Sequence, residues 1–295
     1  MVKGPLLLMA GVGLFGLLDA NSKLLSGDFS AAQALFLRHV VLLSLLFGLR
    51  GATGWPGGAL LTRHPWLHAI RAVSMMTAGL SFYVAVRYLS LADAYLIFFT
   101  APFMTLVLSG VFLKERVPGV AWFWSAVGFG GVLIALAPQL GEGGSLTGFA
   151  SALLGTVAYA VNITINRRLR METGIARLVL WPSLLGVVAT APFAAWHWVP
   201  PGGVEWVQLC LNGVLAGAAG ILLALAFRHG TPARLAPFEF IALPISVALD
   251  FFVFGNPPGT AVILGGAVVV LACLMSERAV SRAARERQGI STGNS

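Results

Sequence analysis

The chain is a succession of apolar runs, each close to twenty residues long, and that length constrains its fold more than any other feature. A helix rises 1.5 Å per residue, so about 20 apolar residues cross the hydrocarbon layer of a bilayer. The runs lie near 4–25, 33–49, 66–88, 91–112, 119–138, 146–166, 176–197, 205–228, 235–254 and 258–277. They predict an all-α integral membrane protein with ten transmembrane helices. The gaps between them are short and rich in turn residues, as in Gly54-Trp55-Pro56-Gly57-Gly58 and Pro200-Pro201-Gly202-Gly203, and none is long enough for a soluble domain. A soluble reading fails on charge. Only 10% of the 295 residues are charged and 58% are hydrophobic, whereas a soluble domain carries about 25% charged residues.

The net charge of +8 would suggest nucleic acid in a soluble protein. Here the basic residues sit in loops between apolar runs, so membrane orientation explains them and no nucleic-acid partner is expected. With the amino terminus in the cytoplasm, every Lys and Arg except Lys23, Arg38 and Arg87 falls on the cytoplasmic side. Both termini are therefore expected inside. The opening MVKGPLLLMAGVGLFGLL has a basic start like a signal peptide, but Asp19, Asn21 and Lys23 follow and no small-residue cleavage site appears. It reads as the first span. Cys210 and Cys273 lie in apolar runs, and the five histidines show no ligand spacing. No metal site and no cofactor are expected.

The chain also resembles itself. GLSFYVAVRYLS (79–90) is similar to GILLALAFRHGT (220–231), and ADAYLIFFTAPFMTLVLSGVF (92–112) aligns with RLAPFEFIALPISVALDFFVF (234–254). Pro102 then falls on Pro244. In the first and sixth runs Gly11 falls on Gly155, Ser22 on Asn166 and Lys23 on Arg167. Each half holds five spans, an odd number, so the second copy inserts upside down. The expected organisation is two inverted five-helix repeats, 1–138 and 146–277, followed by a basic cytoplasmic tail, 278–295. Inverted repeats are a mark of secondary transporters, with the substrate site near the midplane between the repeats.

Residues 87–137 add a specific resemblance. Ala92-Asp93-Ala94, the central Pro102, Leu113-Lys114-Glu115-Arg116 and Gly128-Phe129-Gly130-Gly131 resemble the end of the first half of an EamA-type permease of the drug/metabolite transporter superfamily. The resemblance implies residence in the bacterial inner membrane. Gly255-Asn256-Pro257 departs from it, standing where the family usually repeats Gly-Glu. Size and compact loops are most like the YddG-type amino-acid exporters. That implies export of small metabolites, amino acids above all and aromatic ones among them, by alternating access. Nucleobases, S-adenosylmethionine-like compounds and drugs are the alternatives. A membrane-embedded enzyme is disfavoured, because no acid/base cluster or metal set gathers near one interface.

A pathway needs polar or aromatic stripes at helical spacing. The first helix sets Phe15, Asp19 and Ser22 on one face with Gly11. The third offers Tyr83, the fourth Tyr95 and Phe99, the sixth Tyr159 and Asn162, and the ninth Glu239 and Ser246. These ten residues are the expected substrate-binding set, enclosing a small-molecule cavity. Asp19 and Arg38 lie at similar depth, so a pair is expected between them, while Asp250 and Glu239 lie near helix ends where the interface can solvate them. Pro102, Pro237 and Pro244 are expected hinges. The partners are the substrate and the lipid bilayer. A monomer supplies a complete pathway, with a dimer as the alternative.

Overall fold

A computed structural model describes residues 3–53, 58–112, 119–141, 144–169, 175–229 and 238–292. It contains α1 (Lys3–Leu25), α2 (Ala31–Thr53), α3 (Pro65–Tyr88), α4 (Leu91–Phe98), α5 (Ala101–Phe112), α6 (Gly119–Gly141), α7 (Leu146–Arg168), α8 (Ile175–Trp196), α9 (Gly203–His229), α10 (Ala242–Phe254) and α11 (Thr260–Thr292). Among the described residues, eight segments are long and apolar enough to cross a membrane, with α4 and α5 together forming one of them, Leu91–Phe112. Two further apolar helices, Ala242–Phe254 and Thr260–Ser276, are shorter. The helix carrying the second runs on past the apolar part to Thr292, through the basic tail.

The expected fourth span is broken. Phe99 N–H donates to the Tyr95 carbonyl at 2.8 Å, and Thr100 N–H donates to the Ile97 carbonyl at 3.0 Å, a tighter turn. The Thr100 hydroxyl donates to that same carbonyl at 2.7 Å. Pro102, which has no N–H, then sits in the first turn of α5, where a proline costs a helix least. The ninth run repeats the device. Leu243 N–H donates to the Phe240 carbonyl at 3.2 Å, and Pro244 lies in the first turn of α10. Pro237 lies outside the described residues. At its far end α10 stops on Gly255, whose φ of +70° is left-handed, and Asn256 N–H closes back on the Asp250 carbonyl at 2.9 Å.

Lipid tails supply no hydrophobic drive between helices, so close packing must hold them together. The pairings are symmetric. α1 packs on α9 as α3 packs on α7, and α2 packs on α9 as α3 packs on α8. α10 packs on α1 as α4 and α5 pack on α7, while α2–α8 and α6–α11 map onto themselves. Exchanging the first five spans for the last five reproduces each of these pairings, which suggests a repeat. Gly11 and Gly155 match within it: a Cβ on Gly11 would stand 3.3 Å from the Ala219 carbonyl oxygen, and one on Gly155 would stand 3.3 Å from that of Ala78.

Among the described glycines, the closest approach to a neighbouring helix backbone is at α6 on α11. A Cβ on Gly265 would stand 2.4 Å from the Gly131 carbonyl oxygen and 2.5 Å from the Ala135 Cβ. Backbone cannot yield as a side chain can, so Gly265→Ala is expected to destabilise the folded protein by about 1–3 kcal/mol. Thermal unfolding in detergent checks it; an unchanged midpoint would show that the helices separate without cost.

Candidate functional site

The fourth span brings aromatic rings together because its sequence crowds them at helical spacing. Tyr95 and Phe98 of α4 each meet Phe82 of α3 edge-on at 5.8 Å between ring centroids. Tyr95 lies 6.4 Å from Phe99, and Phe99 lies 5.5 Å from Phe240, just before α10. Phe98 lies 4.6 Å from Tyr159 of α7. The result is an aromatic wall built by α3, α4, α7 and the ninth run. Its polar anchor comes from α1, where the Asp19 carboxylate accepts a hydrogen bond from the Tyr95 hydroxyl at 2.5 Å. A carboxylate at this depth is costly and needs either a partner or a polar cavity. Glu239, adjacent to Phe240, is exposed, and its charge reaches Tyr159.

The remaining expected site residues divide. Phe15 lies one turn from Asp19 on α1 and is half-buried. Asn162 donates to the Arg71 carbonyl at 3.3 Å, tying α7 to α3. Ser246 is fully buried and donates to the Leu243 carbonyl at 2.8 Å within its own helix. Tyr83 stands apart from the wall, packed with Leu25, Phe29, Leu35 and Leu209, its hydroxyl donating to the Phe29 carbonyl at 3.4 Å. The third helix presents Phe82 to the wall instead, one residue away and therefore ~100° around the helix.

Ser22 belongs to a second polar group, between α1, α2 and α9. Its hydroxyl accepts from Asn212 Nδ2 at 2.8 Å and from an Arg38 Nη at 3.1 Å, and donates to the Leu18 carbonyl at 2.8 Å. Arg38 Nε donates to Asn212 Oδ1 at 2.5 Å. The expected Asp19–Arg38 pair is not formed. Each has taken a neutral partner, Asp19 a phenol and Arg38 an amide and a hydroxyl, and their charges act on each other only at longer range. Arg38, Asn212, Phe82 and Phe240 lie outside the expected substrate-binding set.

A third group lies at the end of the bundle where α1 and α10 finish and α4 begins. Lys23 Nζ lies 3.4 Å from Asp250 Oδ1 and donates to the Leu89 carbonyl at 2.9 Å. It also sits 4.8 Å from the Phe254 ring centroid. The other Asp250 oxygen accepts from Ala92 N–H, in the first turn of α4, at 2.6 Å. Asp250 is 4% exposed in its side chain, so the reading of it as an interface-solvated carboxylate is corrected: Lys23 and the α4 backbone satisfy it. A cavity of about 240 Å³ adjoins this group, lined by Ser90, Asp93, Pro138, Asp250, Asn256 and Pro258 among others.

Comparison with known proteins gives these arrangements a context. The model of the EamA-like transporter family matches residues 2–137 and again 146–277. A riboflavin transporter of Rhizobium johnstonii is 29% identical, covering 96% of this chain and 92% of its own. An S-adenosylmethionine uptake transporter of Rickettsia felis is 23% identical over 90% of both chains. A pseudopaline exporter of Pseudomonas aeruginosa is 23% identical, covering 93% of this chain and 96% of its own. A solved crystal structure shares the fold with a TM-score of 0.66 at 18% identity, covering 96% of this chain and 99% of that one. The chain belongs to the EamA-like transporter family. It is a multi-pass membrane transporter, not an enzyme, and its bacterial relatives are consistent with residence in the inner membrane.

Proposed function

We propose that this EamA-family transporter moves a polar metabolite carrying a flat ring system across the inner membrane by alternating access between two inverted five-span halves. The observation that carries the reading is the Asp19–Tyr95 hydrogen bond set beside Phe82, Phe98, Phe99, Tyr159 and Phe240. Aromatic faces stack on a flat heteroaromatic ring, and a carboxylate with a phenol beside it engages a cation or hydrogen-bond donors on the same molecule. Relatives named for S-adenosylmethionine and riboflavin support cargo of that shape over a free amino acid. Their names include both uptake and export, so they favour no direction. The loop charges favour both termini inside, which puts the Lys23–Asp250 end at the outer face and Glu239 near the inner one.

Counterflow into liposomes tests the cargo. The panel is S-adenosylmethionine, riboflavin, nucleobases, cationic drugs, tryptophan, phenylalanine and leucine, each with and without a pH gradient. The expected result is fastest exchange for a nucleoside- or flavin-like compound. An amino-acid exporter of the YddG type, which the size and compact loops resemble, would reverse the order, with tryptophan and phenylalanine ahead, and that outcome would overturn the substrate class proposed here.

A further inference from the structure

We propose that Lys23 and Asp250 form an outer latch between the two halves, one helical turn from the substrate site, which holds the outer side shut and opens when the site is engaged. The inference rests on the transport reading and adds a gate to it.

Three features argue for a latch rather than a passive ion pair. First, it joins three elements of the bundle. Lys23 ends α1, its ammonium also holds the Leu89 carbonyl between α3 and α4, and Asp250 of α10 caps the first turn of α4 through Ala92 N–H. Second, it is geometrically in series with the site. Asp19 and Lys23 are four residues apart on α1, so they share a face; Ala92 and Tyr95 are three apart on α4. Side chains thus connect α1 to α4 at two adjacent levels, Asp19 to Tyr95 and Lys23 through Asp250 to Ala92. A substrate that takes the Tyr95 or Asp19 bond removes the lower connection and leaves the latch as the remaining polar tie between α1 and α4, beside the apolar packing of Ala20 on Leu91 and Ala94. Third, the latch is asymmetric. In the repeat alignment Lys23 falls on Arg167, but Asp250 falls on Leu108. The repeat therefore keeps the cation but not the aspartate at this position, so the same Lys–Asp pair is not repeated by the symmetry. The Lys23–Asp250 pair is thus a feature of the outer end that the repeat does not impose, as a contact selected for closing that end would be.

Removing one partner alone would strand a charge in a nearly dry site, so the test uses the paired neutral variant K23M/D250N beside the conservative K23R. A cysteine is placed at Phe15 in a background with Cys210 replaced by serine, and a membrane-impermeant maleimide is added to the outer face of sealed cells without substrate. Cys273, which is buried, reports whether the fold stays intact. K23M/D250N is expected to label at position 15 about fivefold faster than the parent, with K23R near the parent rate and Cys273 unlabelled throughout. A parent-like rate in K23M/D250N, or an equal gain at Cys273, would overturn the latch. The two readings separate cleanly. Faster labelling in a protein whose Asp19→Asn variant transports normally keeps the latch and removes the site. Parent-like labelling in a protein disabled by Asp19→Asn removes the latch and keeps the site.

Discussion

Asp19→Asn is expected to lower transport about 100-fold while the protein still folds and inserts. The estimate follows from what the side chain does. A hydrogen bond to a charged group contributes roughly 1.5–3 kcal/mol, which is about 10- to 150-fold in rate or affinity. Asparagine keeps the size and can still accept from the Tyr95 hydroxyl, so the α1–α4 connection survives and only the charge is lost. Tyr95→Phe is the complementary change. It keeps the ring against Phe82 and Phe99 and removes only the hydroxyl that donates to the Asp19 carboxylate, so a loss of about tenfold is expected, the lower end of the range for a hydrogen bond to a charged group. The two variants also separate cargo binding from proton coupling. If Asp19 carries a proton on the return stroke, Asp19→Asn exchanges substrate across the membrane yet no longer responds to a pH gradient. If Asp19 only binds cargo, exchange and gradient-driven uptake fall together. Transport by Asp19→Asn within twofold of the parent would take Asp19 out of the path.

How much of this was legible beforehand depended on the range of the interaction. Apolar run length is a local property, and each of the eight segments long and apolar enough to cross a membrane falls on one of the runs. The prolines at 102 and 244 are local as well, and both helices break just before them. The wall was partly legible, because Tyr95 and Phe99 fall on one stripe of the fourth span and Tyr159 falls on a stripe of the sixth. Its error was one of rotation. Tyr83 and Phe82 are neighbours in an apolar run with little amphipathic contrast, so nothing local says which of two adjacent aromatics faces inward. The polar partners were harder still. Arg38 meets Asn212, and Lys23 meets Asp250, across the boundary between the two halves. Depth in the membrane brought Asp19 and Arg38 to the same level, but the azimuth of α1 and α2 turned them toward different neighbours. That azimuth is set by close packing such as Gly11 against α9, which a single sequence does not encode in any one residue.

The double variant Pro102→Ala with Pro244→Ala is expected to transport about 30-fold more slowly while binding substrate with nearly unchanged affinity. The two breaks face each other. Phe99 lies at the first and Phe240 at the second, with their rings 5.5 Å apart, and α4 packs on α10. Each break therefore turns on the other, and the aromatic wall sits on the joint itself. Alanine restores an N–H at each position, able to reach back to the Phe98 and Phe240 carbonyls and continue the helix through the break. If each restored bond contributes about 1 kcal/mol to the straight form, and the half-helices must tilt separately during access exchange, the barrier rises by about 2 kcal/mol. That is roughly 30-fold in rate. Neither proline touches the Asp19–Tyr95 bond, so affinity should move little, and this split between rate and affinity is what a hinge produces and a binding residue does not. Either single variant should show part of the effect, about fivefold, because one mobile joint remains. A normal rate in the double variant would mean that the breaks are fixed packing features and that the motion lies elsewhere in the bundle.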